Sequence, residues 1–286
     1  MYKRQGEHSL FTDDPSRNAW LDFFEPTQAV DPAEIEAAAD RGVFPGAWGG
    51  GSPFRGIAAR RGATGPISAV DLIARPEPLV VGSHFTGVHL VRHLLPMDHP
   101  LAGVDTRATL RALTSTFLRP RAHLAERAAT FVADQFGDTP FIATHVRGTD
   151  KRSEQGDLLG VVNLAIGNIV DRLLAGRNGI RLLLLTDDRD IERQYRERYG
   201  SRVVMSAALR GQGRQSVHLG SGLPQRRLGE EVLVDVLTAL AAESFVGNRF
   251  SNVACIVRAL KDWPKGTLHM LGVDDAAHNY AASVLQ

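Results

Sequence analysis

Ile180 to Thr186, IRLLLLT, is the segment that most constrains the fold, because its four consecutive leucines leave no polar face. A strand wetted on one side alternates apolar and polar residues, whereas a strand covered on both sides reads as a continuous apolar run. Such a chain must supply helices for both faces of a sheet, and the flanking sequence does so. Leu158 to Leu174 and Arg189 to Tyr199 read as helices on either side of it, with Pro140 to Val146 (PFIATHV) and Arg202 to Met205 (RVVM) as further strands. Ala122 to Gln135 places Leu124, Ala128, Phe131 and Val132 on one helical face and stops at Gly137. Gly229 to Ala242 is helical, Ser244 to Val246 extended, and about Phe250 to Leu260 helical again. Strands alternating with helices predict an α/β unit, a parallel sheet in the Rossmann manner.

The first part of the chain has another texture. Phe44 to Gly65 reads as a long loop, because Gly49, Gly50 and Gly51 stand beside Pro45 and Pro53. Pro78 to Gly82 predicts a short buried strand, and Gly87 to Leu95 fits either strand or helix. The expected division is a reduced N-terminal domain over 1–115 and a Rossmann-like domain over 116–286, which suits a length of 286 residues. Lys plus Arg (33) against Asp plus Glu (32) gives a net charge of +1, so no electrostatic footprint for nucleic acid or an anionic membrane is present. Cys255 stands alone, which excludes an internal disulfide or a multi-cysteine zinc site. With no apolar run of membrane length and no signal-peptide pattern at the start, a cytoplasmic protein is expected.

Ligands of parallel α/β sheets bind beyond the carboxyl ends of the strands. Three strand ends carry polar clusters: His145 to Lys151 (HVRGTDK), Thr186 to Asp190 (TDDRD) and Gly247 to Asn252 (GNRFSN). Together they suit a nucleotide with phosphates. Arg147 offers a planar fork of donors, and Ser251 with Asn252 at a helix start adds a hydroxyl and backbone N–H groups. Asp187 and Asp188 can accept from base amines or ribose hydroxyls. On structural grounds alone the same residues read as a solvated turn, an N-cap pair for the helix at Arg189, and a cap at Ser251.

HVRGTDK resembles the His-Val-Arg-Arg-Thr-Asp-Lys motif of the α-1,6-fucosyltransferases, with their nodulation and protein O-fucosyltransferase relatives. LLTDD (Leu184 to Asp188) and DVLTALAAESFVGNRFSNVACIV (Asp235 to Val257) are similar to later segments of that family, in the same order. LRPRAHL (Leu118 to Leu124) resembles its lead-in helix, and WLDFFEP (Trp20 to Pro26) an N-terminal stretch. The resemblance implies a GT-B-like fold of two Rossmann-like domains and inverting transfer of a sugar from GDP-fucose. No cofactor is required on this reading, and a divalent cation (Mg or Mn) is left open. Carried over residue by residue, it implies that Arg147 holds the β-phosphate and steadies the departing GDP. His145 and Asp187 would meet guanine or ribose, with Asp188 beside them. Asp235 would recognise the base. Ser251, with Phe250 and Asn252 beside it, would donate to a phosphate, and Asp150 and Lys151 would order the loop or approach the sugar.

Two departures stand out. Gly148 replaces the motif's second arginine, and the chain begins close to WLDFFEP without a Gly-rich first unit. A reduced acceptor side suggests a small hydroxylated acceptor. It also opens two alternatives, a GDP-sugar pyranose–furanose mutase with no acceptor and a non-catalytic nucleotide-sugar-binding module. Asp13, Asp14, Glu25 and Asp150 are candidate bases, and Gly46 to Gly56 a candidate lid. His84, His89, His93 and His99 beside Asp98 read as surface or structural histidines rather than a metal site. Asp188-Arg189-Asp190 reads as a helix start rather than a metal motif. Trp20 and Trp263 read as core or loop anchors, whereas Trp48 in its glycine loop is a candidate sugar platform.

Overall fold

The computed structural model describes residues 11–14, 18–26, 31–53, 56, 59–60, 63, 69–82, 88, 92–148, 157–206, 224–249 and 251–272. The chain divides into two compact units, one around Pro26–Leu113 and the other joining Arg4–Glu25 to Thr114–Ala277. Helix α1 (Trp20–Phe23) thus belongs to the unit formed by the second half of the chain.

In the first unit, α2 (Pro32–Arg41) starts where Asp31 accepts a hydrogen bond from the Ala33 N–H and Pro32 presets the first helical turn. It leads into β1 (Val43–Phe44), which pairs in parallel with β2 (Leu79–Val80). Helices α3 (Ala69–Ile73) and α4 (Thr106–Phe117) follow, the latter capped by Asp105, which accepts from the Arg107 and Ala108 N–H groups. The strand expected over Pro78 to Gly82 exists but is not buried. Its one ladder partner among the described residues is β1, and Val80 is 36% exposed. Trp48 is also corrected: it is buried, its carbonyl held by the Arg60 guanidinium, so it anchors its loop instead of offering a stacking face. His93, His99 and Asp98 are exposed, while His84 and His89 lie outside the described residues. Among the described residues no three His, Cys, Asp or Glu side chains cluster closely enough to hold a metal ion.

The second unit is a five-stranded parallel sheet of β3 (Phe141–His145), β4 (Arg181–Leu185), β5 (Val203–Val204), β6 (Ser244–Asn248) and β7 (Leu268–Leu271), ordered β5-β4-β3-β6-β7. Helices α5 (Ala122–Phe136), α6 (Asp157–Leu174), α7 (Arg189–Tyr199), α8 (Gln225–Leu240) and α9 (Asn252–Leu260) connect and cover it. The leucine run divides between the two faces as its pattern demands. Leu182 and Leu184 pack with Val162, Ile166, Val170, Ile191 and Tyr195 of α6 and α7. Leu183 and Leu185 pack with Phe136, Val236, Ala254 and Val257 of α5, α8 and α9. Each such leucine, sealed from water, contributes roughly 1.5–3 kcal/mol. The half-buried β7 carries no alternation in LHML and is not legible in the sequence. Among the described residues no helix is long and apolar enough to cross a membrane.

Residues 11–14 and 18–25 are fixed to this unit by polar as well as apolar contacts. Asp13 accepts from the Gln225 and Arg226 N–H groups and so caps α8 from a distance, since Pro224 at the cap position cannot. Arg226 also pairs with the buried Asp22, and Glu25 with Arg121 at 3.5 Å. Phe23 enters a small core with Leu124, Ala128 and Val234.

The close seat of α9 on β6 depends on Gly247. A Cβ there would lie 2.9 Å from Ala254 Cβ and 2.9 Å from the Phe245 ring, both held by the sheet core. Gly247→Ala is expected to destabilise the second unit by about 1–3 kcal/mol, read as a lower urea midpoint at unchanged slope.

Candidate functional site

The sheet order places a topological switch point between β3 and β6, where the winding reverses and the two connections leave on opposite faces. Ligands of such sheets bind beyond the strand ends at this point, and the sequence clusters fall there. His145 closes β3, Asn248 closes β6, and Ser251 starts α9.

His145 is 5% exposed and its Nδ1 is buried with no hydrogen-bond partner among the described residues. Burial pushes its pKa down to about 4, only partly opposed by the negative charge of Asp187, and Arg147 lowers it further. At neutral pH it is thus an uncharged imidazole. Past it the chain is tied down strongly. The Val146 N–H donates to the Leu185 carbonyl at 2.9 Å and Asn163 Nδ2 donates to the Arg147 carbonyl at 2.9 Å. Arg147 Nη1 stands 3.3 Å from Asp187 Oδ2, and the Gly148 N–H donates to Asp187 Oδ1 at 3.2 Å. Asp187 therefore clamps both the side chain and the following backbone of the motif, with both of its oxygens engaged.

Asp188 has a different task. It is 1% exposed and caps α7, accepting from the Asp190 N–H at 2.8 Å and the Ile191 N–H at 3.4 Å. The helix-start reading of Asp188-Arg189-Asp190 is what the structure displays. Gly148 is explained by the same carboxylate, because a Cβ at 148 would fall inside the contact radius of Asp188 Cβ, Cγ and Oδ2. The motif's second arginine has no room here.

Ser251 is buried and occupies the N-cap of α9, yet its side chain makes no capping bond; its carbonyl accepts from the Cys255 N–H at 2.9 Å. The first turn of α9 thus keeps its own backbone N–H groups uncapped by this hydroxyl, with Asn252 exposed beside it. Asn248 is fully buried, and neither Nδ2 nor Oδ1 has a partner among the described residues. An orphaned buried amide costs about 1–3 kcal/mol for each unsatisfied group. Such an expense is concentrated at sites that meet a ligand or ordered water. The structure brings together His145, Arg147, Gly148, Asp187 and Asp188, with Ser251 and Asn252 across the switch point. Asp235 stands half-buried on α8, on the same side of the sheet as α9. Asp150, Lys151 and Phe250 lie outside the described residues. Sequence reasoning did not single out Asn248 or Asn163, since an asparagine at a strand end or in a helix reads as ordinary turn or surface chemistry. Asp13 and Glu25, two of the candidate bases, have the structural partners given above, and Asp14 is exposed.

No family model and no curated protein matches the chain. Solved structures do. NodZ α-1,6-fucosyltransferase soaked with GDP-fucose is 16% identical with a TM-score of 0.51, over 88% of this chain and 79% of that one. The same enzyme co-crystallised with GDP is 15% identical with a TM-score of 0.51, over 89% and 79%. Fucosyltransferase NodZ from Bradyrhizobium is 15% identical with a TM-score of 0.49, over 90% and 80%. The likeness is one of fold, and it agrees with the GT-B-like α/β class expected from the motifs.

Two outcomes follow from the geometry. His145 titrates at about 4 when folded against an ordinary 6.5, so the unfolded chain takes up the proton first as pH falls. Its contribution to stability is complete above 6.5 and is lost on acidification toward 4, and urea midpoints of His145→Gln are expected to show a weaker pH dependence across that window. Gly148→Ala is expected to push Asp188 off the α7 cap and lower stability by about 1–2 kcal/mol in equilibrium unfolding.

Proposed function

We propose that the chain is a GDP-sugar-dependent enzyme acting at the anomeric C–O bond, an inverting glycosyltransferase that moves a fucosyl or related sugar to a small hydroxylated acceptor. The observation that carries this reading is the Arg147–Asp187–Gly148 clamp facing, across the switch point, a helix start whose Ser251 hydroxyl does no capping. Support also comes from the fold shared with a fucosyltransferase whose structure was obtained with GDP-fucose.

On this reading the diphosphate bridges the two sides of the switch point. Arg147, held by Asp187, presents its remaining N–H groups to the β-phosphate, and Ser251 with the first N–H groups of α9 meets the other oxygens. Negative charge on the diphosphate grows as the glycosidic bond breaks, so these fixed donors favour the transition state over the bound ground state. Asp187 then positions Arg147, and the second lone pair of each of its oxygens can accept from guanine or ribose. The neutral His145 suits a nucleoside contact, since its charge would appear only near pH 4. Gly148 contributes backbone where the motif has arginine, while Asp188 holds α7 beneath it. Asp150 is the general base assigned to the acceptor hydroxyl, Lys151 is assigned to the sugar on the resemblance alone, and Asp235, Phe250 and Asn252 complete the assigned nucleotide contacts.

Calorimetry with GDP, UDP and ADP tests the ligand class, and selective binding of GDP is the expected result; equal or absent binding of all three ends the reading. Arg147→Ala is expected to weaken GDP by about 2–3 kcal/mol, and an unchanged affinity places Arg147 outside the site. Incubation with GDP-fucose or GDP-galactose alone, with and without a divalent cation, separates the reactions. Slow release of free sugar accompanies a transferase, a new GDP-sugar isomer identifies a mutase, and tight binding without any product identifies a binding module.

A further inference from the structure

We infer that Asn248 recognises a vicinal diol of the bound nucleotide sugar, an assignment that rests on the GDP-sugar reading above. Asn248 is fully buried at the end of β6, at the switch point, and both polar atoms of its carboxamide lack partners among the described residues. It sits three positions before Ser251, with α9 starting immediately after that residue. A carboxamide offers one acceptor and one donor side by side. The two ends are satisfied together by a group that both donates and accepts, and adjacent hydroxyls do so, one giving its proton to Oδ1 and the other accepting from Nδ2. A phosphate has only acceptor oxygens at neutral pH and would leave Oδ1 orphaned. With the diphosphate placed at Arg147 and Ser251, the diols nearest to it are those of the pentose on one side and the hexose on the other. Val246, two positions earlier on β6, lies in the core between the sheet and α6, and strand alternation places Asn248 on that same face. Asn163 of α6, which holds the Arg147 carbonyl, leaves its own Oδ1 buried and unpartnered as well. Polar groups waiting for a partner therefore stand close behind the arginine motif, on the face opposite α9.

The test is calorimetry on the full chain, wild type and Asn248→Leu, with GDP, 2′,3′-dideoxy-GDP and GDP-fucose, together with melting of each protein without ligand. Wild type is expected to bind GDP about tenfold more tightly than the dideoxy form, as one or two lost hydrogen bonds imply. Asn248→Leu is expected to lose that difference while melting a few degrees higher without ligand, because an orphaned amide is gone. If GDP and dideoxy-GDP bind wild type alike, a preference for GDP-fucose over GDP that disappears in Asn248→Leu places the diol on the hexose. Unchanged affinity of Asn248→Leu for all three ligands overturns the assignment and leaves the amide as a holder of buried water. Should Asn248→Leu not fold, Asn248→Ser takes its place, and the same loss of discrimination decides. Failure of wild type to bind GDP at all overturns the nucleotide reading itself, a result recognisable without any variant.

Discussion

Double-sided burial of the central strands is the constraint from which the rest of the second unit follows. Four leucines in β4 divide between two cores, one under α6 and α7 and the other under α5, α8 and α9. Helices must cross over both faces, and parallel strands joined by right-handed crossovers can do this only if the winding reverses somewhere. Here it reverses between β3 and β6. The switch point is thus a by-product of hydrophobic burial, and the polar residues beyond those two strand ends occupy the one place on the sheet edge where connections diverge.

Beyond those strand ends, two adjacent carboxylates have different tasks. Asp188 is turned inward to satisfy the first N–H groups of α7, and Asp187 is turned toward Arg147 and the Gly148 N–H. The two neighbouring acids are not interchangeable, because one acts on a helix start and the other on a guanidinium. Gly148 belongs to the same arrangement, since the loop passes so near Asp188 that no side chain fits. Against these satisfied groups stand His145 Nδ1, Asn163 Oδ1 and both polar atoms of Asn248, buried without partners among the described residues, as are Tyr195 Oη and His269 Nε2 farther along the same unit. Unmet hydrogen-bonding capacity of this kind costs stability, and in part it lies beside the strand ends at the switch point.

The N-terminal segment adds to the unit from outside the sheet. Residues 11–14 and 18–25 bring Asp13 to the start of α8, Asp22 to Arg226 and Phe23 into the core between α5 and α8. Their carboxylates serve as a distant cap and as ion-pair partners, Asp13 for the start of α8, Asp22 for Arg226 and Glu25 for Arg121.

The sequence by itself determined the class of fold, the strands and helices of the second half, and the clusters that end β3, β4 and β6, because hydrophobic periodicity is a local property that burial imposes on the chain. The ends of α7, set by Asp188 and Gly200, are legible for the same reason: capping is chemistry between near neighbours. Only the tertiary structure decided the rest. It separated Asp187 from Asp188, since adjacent acids look alike until a helix start and an arginine compete for them. It turned Gly148 from a missing arginine into a steric requirement, because the close approach involves a residue forty positions away. It seated residues 11–14 and 18–25 on the second half of the chain and revealed Asn248 as buried and unpaired among the described residues, since satisfaction of a polar group depends on everything packed around it and leaves no periodic trace in the sequence.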